Sequence, residues 1–288
     1  MKQQKFGVIT LSYSPDFERC ELLSWSIEKS VNSDYTHYII VDKKDLTLFN
    51  KLKKRNTEII AVESILPWWI KKIPGLKNGW ISFKSLPVRN WIIQQITKIA
   101  VSEYLEQDVL VFIDSDVAFV RKFDLNTFIR GDKVRLFKPV NQRKTTDSFT
   151  SWYETASNIL GLTPQNYPDG YIGNLITWKR ENVLKMHQRI EQITRRSYIE
   201  VLCNQSKLSE YVLYGVFVDY ILKEKAEHFY DQTSICQEYW KTDNLEDEEL
   251  GKFFTGLLPS QVSVMISAKA KISVKRYEKL LKSVDKNQ

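Results

Sequence analysis

Over the first 130 residues, short and largely apolar runs alternate with segments of helical spacing, and each run stops at a polar or acidic residue. Phe6-Gly7-Val8-Ile9-Thr10-Leu11 stops at Ser12, and Tyr38-Ile39-Ile40-Val41 stops at Asp42. Thr57-Glu58-Ile59-Ile60-Ala61-Val62 stops at Glu63, and Val109-Leu110-Val111-Phe112-Ile113, the strongest run, stops at Asp114. Between them, Cys20, Leu23, Ile27 and Val31 recur at helical spacing behind Asp16, an expected cap. Asp45 is expected to cap a short helix through Leu46, Phe49 and Leu52. A further helix is expected over 90–106, with Ile92, Ile96, Ile99 and Leu105 inward. Short apolar strands alternating with helices build a mainly parallel central sheet with helices on both faces, so the fold class is α/β.

The second half reads differently. Arg135-Leu136-Phe137 suggests another strand, and Lys144-Thr145-Thr146-Asp147-Ser148 a mobile loop. Asn166-Tyr167-Pro168-Asp169-Gly170 has turn chemistry and precedes Tyr171-Ile172-Gly173-Asn174-Leu175-Ile176-Thr177-Trp178. Helices are expected over 181–194 and 208–225, and a basic helix from Val274 onward. With no repeat and no clean linker, one domain over 1–288 is expected. Residues 1–130 would form its ligand-binding half, and 131–288 a substrate-shaping half with the terminal helix.

The composition, 43% hydrophobic and 27% charged, excludes disordered and low-complexity classes. A net charge of +7 and a pI near 9.0 favour an anionic partner. No nucleic-acid-binding motif accompanies that charge, so nucleic acid is not an expected partner. Nothing reaches the roughly 18 apolar residues of a spanning helix, and Met1–Lys5 is not followed by a signal peptide's apolar run. Three scattered cysteines form neither a disulfide framework nor a zinc motif. A cytoplasmic protein is expected, with peripheral contact at the inner face of the membrane as a further option.

Asp114-Ser115-Asp116 carries the sharpest chemistry. Ligands of open parallel sheets bind outside the carboxyl ends of the strands. Two carboxylates at i and i+2 on extended backbone point to one side and can share a hard divalent cation. On the preceding helix, Trp91, Gln95, Lys98 and Ser102 lie on one face, and Lys98 is the sole cation in the middle of that helix.

These features resemble a GT-A glycosyltransferase: the β-α-β-α-β start, the polar-basic helix, and the apolar strand ending in Asp-Ser-Asp. The run from Trp91 to Phe123 is also similar to a family of bacterial proteins allied to those enzymes. So are Asn174-Leu175-Ile176-Thr177-Trp178 and Ser209-Glu210-Tyr211-Val212-Leu213-Tyr214-Gly215. The resemblance covers most of residues 6–220 and implies a Rossmann-like GT-A fold. It implies that Asp114 and Asp116 hold Mn2+ or Mg2+ on the diphosphate of a nucleotide sugar. Thr10, Ser12, Tyr13 and Asp42 would line the nucleoside, while Gln95, Lys98 and Ser115 would face the donor. Asn174, Trp178, Tyr211 and Tyr214 would shape the sugar or acceptor pocket. The His-x-x-Gly-x-x-Lys-Pro-Trp element that completes the metal site in one such family is absent, since His228 precedes Phe-Tyr-Asp-Gln.

The implied reaction moves a sugar, most often from a UDP-sugar, to a glycan or lipid-linked acceptor. An inverting enzyme needs a carboxylate to take the acceptor's proton, and Glu210 and Asp169 are the candidates. Pro67-Trp68-Trp69-Ile70-Lys71-Lys72 suits a sugar-stacking loop, an anionic lipid interface, or buried packing. A haloacid-dehalogenase-like phosphohydrolase also places Asp-x-Asp after a strand, but three strands precede the pair here. A sugar nucleotidyltransferase would want a Gly-rich loop where Leu11–Asp16 stands. A non-catalytic sugar- or lipid-binding relative is the remaining alternative.

Overall fold

The computed structural model describes residues 4–73, 79–142 and 147–284. Its central sheet has five strands in the order Ile176–Lys179, Val109–Phe112, Phe6–Leu11, Tyr35–Val41 and Thr57–Ala61. The last four run parallel, as their nearly continuous apolar sequences require, and Ile176–Lys179 is an antiparallel edge. Helices Phe17–Ser30 and Asn90–Tyr104 supply the crossovers. Ile92, Ile96, Ile99 and Leu105 are buried as their spacing predicts. The architecture is therefore mixed α/β, with three smaller three-stranded sheets around the central one.

Several local expectations are corrected. Asp16 ends a short 3-10 turn, Ser14–Asp16, and makes no side-chain cap; it stands beside Arg19 instead. Asp45 likewise caps nothing and accepts the backbone N–H of Ser14 at 3.1 Å. Of the expected loop at 144–148, Lys144 to Thr146 lie outside the described residues, while Asp147 opens a helix, Asp147–Leu160. The expected helix over 208–225 is α-helical only over Glu210–Val216, then widens to a π-helical turn, Phe217–Leu222. Ser209 caps it, its hydroxyl accepting the Val212 N–H.

Gly215 explains itself by contact. A Cβ there would stand 2.3 Å from the ring of Tyr171, which packs flat against the helix backbone. The Tyr171 hydroxyl then donates to Asp219 at 2.5 Å.

The C-terminal region, described to residue 284, is built into the frame. Cys236–Tyr239, Ser263–Ile266 and Val117–Phe119 form one sheet, so the strand that leaves the Asp-Ser-Asp turn pairs with the C-terminal region. Arg19 clamps that region from the first long helix. Its guanidinium donates to the carbonyls of Ile272 at 2.8 Å and Ile266 at 3.4 Å, and to the Tyr277 hydroxyl at 3.2 Å. The largest hydrophobic core mixes residues on both sides of position 130, from Ile9 to Ala226. Among the described residues, no helix is long and apolar enough to cross a membrane.

Candidate functional site

Two adjoining clefts open where the parallel strands end. The first, about 330 Å3, lies over the ends of Phe6–Leu11 and Tyr35–Val41 and is lined by Ser12, Tyr13, Asp42, Lys72 and Asn90. Asp42 is ion-paired with Lys72. The second, about 480 Å3, lies over Asp114, Ser115 and Asp116, with Gln95, Lys98 and Lys269 also in its wall. Leu11, Ser12, Tyr13, Asn90 and Gln94 line both, so the two form one groove across the carboxyl ends of the strands.

Lys98 is buried beneath this groove with three acceptors around its ammonium. Its Nζ lies 3.0 Å from Glu210 Oε1, 3.0 Å from the Tyr211 hydroxyl and 3.2 Å from Asp114 Oδ1. Burial opposes the charge, but Asp114, Tyr211 and Glu210 outweigh it and hold the pKa well above that of an ordinary lysine. An ammonium has three protons, and three acceptors take them here. Lys98 therefore fixes the Asp114 carboxylate.

Asp116 is held by the C-terminal region, its Oδ2 accepting the backbone N–H of Ala268 at 3.1 Å. Burial and the neighbouring charge of Asp114 push its pKa up to about 7, against the pull of the Ala268 N–H and Arg19. Two crowded carboxylates of this kind fit a hard divalent cation, whose charge would relieve both causes of the shift. Among the described residues no group of three or more His, Cys, Asp or Glu could hold a metal. A divalent ion held by Asp114 and Asp116 alone would take the rest of its shell from other oxygen ligands.

A small aromatic pocket adjoins the groove. Pro139, Phe149, Tyr153, Tyr171, Glu238 and Trp240 line it, and Trp240 also lines the Asp114–Asp116 cleft. Glu238 is positioned by Asn174, which donates both its backbone N–H at 3.1 Å and its side-chain amide at 2.9 Å. Its other oxygen accepts the Trp240 indole N–H at 2.7 Å.

The sequence-derived site thus divides. Ser12, Tyr13, Asp42, Gln95, Lys98, Asp114, Ser115 and Asp116 converge on the groove. Thr10 does not: it is fully buried within the strand ladder and shares a 3.0 Å hydrogen bond with His37. Trp178 and Tyr214 are core, their rings stacked 4.7 Å apart under the sheet. Burying such a ring contributes about 4 kcal/mol, a strong pull away from the surface. Tyr211 lies over Lys98 instead of in a sugar pocket. Asn174 reaches the aromatic pocket only through Glu238. Glu210 is 2% exposed and sits beneath Lys98 as its counter-ion, outside the groove's lining. Asp169 belongs elsewhere, accepting the Asn141 N–H at 3.0 Å and pairing with Lys138 at 3.2 Å. His228 bonds the Tyr214 hydroxyl and the Val134 carbonyl, so its role is structural.

Glu238, Trp240, Ala268 and Lys269 were not visible as site residues in the sequence. They reach the cleft through a sheet that joins positions more than 100 residues apart, and no local pattern encodes that pairing. The aromatic stretch at 67–80 splits: Trp69 and Trp80 are buried, while Trp68 is exposed.

The arrangement defines a mixed α/β protein whose groove, at the carboxyl ends of parallel strands, carries a crowded carboxylate pair. Residues 7–284 match the family described as "Family of unknown function (DUF6492)", and the chain belongs to that family. No curated protein matches the sequence.

Proposed function

We propose that this protein is a metal-dependent glycosyltransferase of the GT-A type, taking a sugar from a nucleotide-sugar donor to a glycan or lipid-linked acceptor. The observation that carries the reading is the continuous groove. It sets a nucleoside-sized cleft with Asp42 beside a cleft with Asp114 and Asp116, at the end of the sheet where such ligands bind.

Asp42 and Tyr13, which line the first cleft, would take ribose and base. Asp114 and Asp116 would hold Mn2+ or Mg2+, which supplies charge neutralisation for a departing nucleoside diphosphate. Lys98 keeps Asp114 aimed into the cleft. Lys269, an exposed cation in the cleft wall, would meet the diphosphate directly. On the acceptor side, an acceptor hydroxyl bonds to the anomeric carbon as the bond to the diphosphate oxygen breaks. Its proton passes to Glu238, the carboxylate that lines the aromatic pocket. Trp240, shared by both compartments, offers a ring face for stacking the sugar between them.

The test is release of nucleoside diphosphate from a panel of nucleotide sugars with Mn2+, UDP-sugars first, measured by mass spectrometry. Metal-dependent release from at least one donor is expected. Loss of a base costs about 10²–10⁴-fold, so Glu238→Gln should lower acceptor-dependent turnover on that scale with little change in donor KM. Absence of release from every donor, with folded protein and metal present, would count against the reading.

A further inference from the structure

The segment between the third central strand and the Asp114 strand is chemically one-sided. Residues 64–102 contain six Lys or Arg and no Asp or Glu; Lys98 and Lys72 are held in ion pairs, while Lys71, Lys84 and Arg89 are exposed. Part of it forms a three-stranded antiparallel sheet from Ile70–Lys72, Gly79–Ser82 and Val88–Arg89. Trp80 and Val88 turn inward and are buried. Lys71, Ile81 and Arg89 stand on the outward face, with Lys71 directly opposite Ile81 in the register.

Large apolar side chains crowd the border of that face. Trp68 is 75% exposed, Phe83 65%, Leu86 81% and Ile81 41%. The Trp68 and Phe83 rings lie 6.3 Å apart, so they form one patch. Lys84 sits within it, its ammonium 5.2 Å from the Trp69 ring. Apolar side chains this exposed and this close together mark an interaction surface.

We propose that this face docks on an anionic lipid bilayer. The exposed charged side chains of this face and its patch, Lys71, Lys84 and Arg89, are all cations. Aromatic side chains at the headgroup level, beside Lys and Arg drawn to acidic lipid, are the chemistry that suits a membrane surface. The sheet also adjoins the groove. Lys72 pairs with Asp42 in its wall, and Val88–Arg89 leads directly into Asn90 and Trp91, which line it. Docking there would hold the groove next to the lipid surface. The inference stands apart from the glycosyl-transfer reading, because it rests on the patch and its charge.

The test is sedimentation of the full chain with vesicles of phosphatidylcholine alone and of phosphatidylcholine mixed with phosphatidylglycerol, without nucleotide or sugar. Binding is expected to the mixed vesicles only, weakening as salt screens the lysines. A Trp68→Ser, Phe83→Ser, Leu86→Ser variant should bind at least tenfold less, at an unchanged melting temperature, since these side chains are solvent-exposed. Lys71→Glu with Lys84→Glu should lose the preference for phosphatidylglycerol. Failure of the full chain to bind mixed vesicles would overturn the inference, as would equal binding by the triple variant. Light scattering that shows the patch pairing two copies of the chain would overturn it too.

Discussion

Lys98 Nζ stands 3.0 Å from Glu210 Oε1, beneath a groove that neither the glutamate nor its helix lines. The same ammonium reaches Asp114, so a buried ion pair sets the direction of a carboxylate at the cleft floor. Removing one partner of such a pair leaves the other charge buried, which costs about 3–5 kcal/mol. Lys98→Met should therefore lower the melting temperature by roughly 6–20 °C, at about 2–4 °C per kcal/mol. Adding Glu210→Gln should restore much of that loss. A single variant melting within about 2 °C of the parent would show that the pair is not the support described.

Arg19 joins the first long helix to the C-terminal region through three hydrogen bonds. Charge-assisted bonds contribute about 1.5–3 kcal/mol each, though not additively. Arg19→Met should cost at least about 2 kcal/mol. It should also weaken metal binding, because Ala268, which orients Asp116, lies on the segment that Arg19 holds. Calorimetric Mn2+ titration of the variant checks the second effect; unchanged affinity would separate the clamp from the site.

Gly215→Ala gives a prediction of definite sign. An alanine inside a helix normally gains about 1 kcal/mol over glycine. Here its Cβ would meet the Tyr171 ring at 2.3 Å, and overpacking costs about 1–3 kcal/mol or more. The melting temperature should fall. A rise would mean that Tyr171 moves aside freely.

His37 and His228 set a pH dependence. Burial lowers the His37 pKa to about 3 and the His228 pKa to about 4, against about 6.5 in the unfolded chain. Between those values the unfolded state binds protons that the folded state does not, so stability falls as pH drops below about 6.5. Each histidine contributes a slope of about 1.4 kcal/mol per pH unit, ending near its folded pKa. His37→Gln should flatten the melting profile between about pH 6 and 4. An identical slope in the variant would remove His37 from the account.

The carboxylate half of the groove was readable because strand ends are local. Ser12, Tyr13, Asp42 and Asp114–Asp116 each follow directly on an apolar run, and the sheet topology gathers those ends. Thr10 was misplaced by two residues, which is the difference between the ladder and its exit. Trp178 and Tyr214 were misread because aromatic rings serve sugar stacking and core packing alike, and only tertiary contact decides between them. Glu238 and Lys269 could not be read at all, since the sheet that delivers them pairs Val117–Phe119 with Ser263–Ile266.

If Asp114 and Asp116 hold a divalent cation against a nucleoside diphosphate, nucleotide and metal must stabilise the fold together. The direct measurement is the melting temperature with UDP, GDP, CDP or dTDP, each with and without Mn2+, for the parent and for Asp116→Asn. A ligand at about 100 times its Kd adds about 2.7 kcal/mol, or roughly 5–11 °C. At least one nucleotide should produce that shift only with metal. Asp116→Asn should lose the shift while melting no lower than the parent in metal-free buffer, because it removes a buried, repelled carboxylate. A shift that persists without metal or in Asp116→Asn would mean that the pair does not hold the cation, as would the absence of any shift.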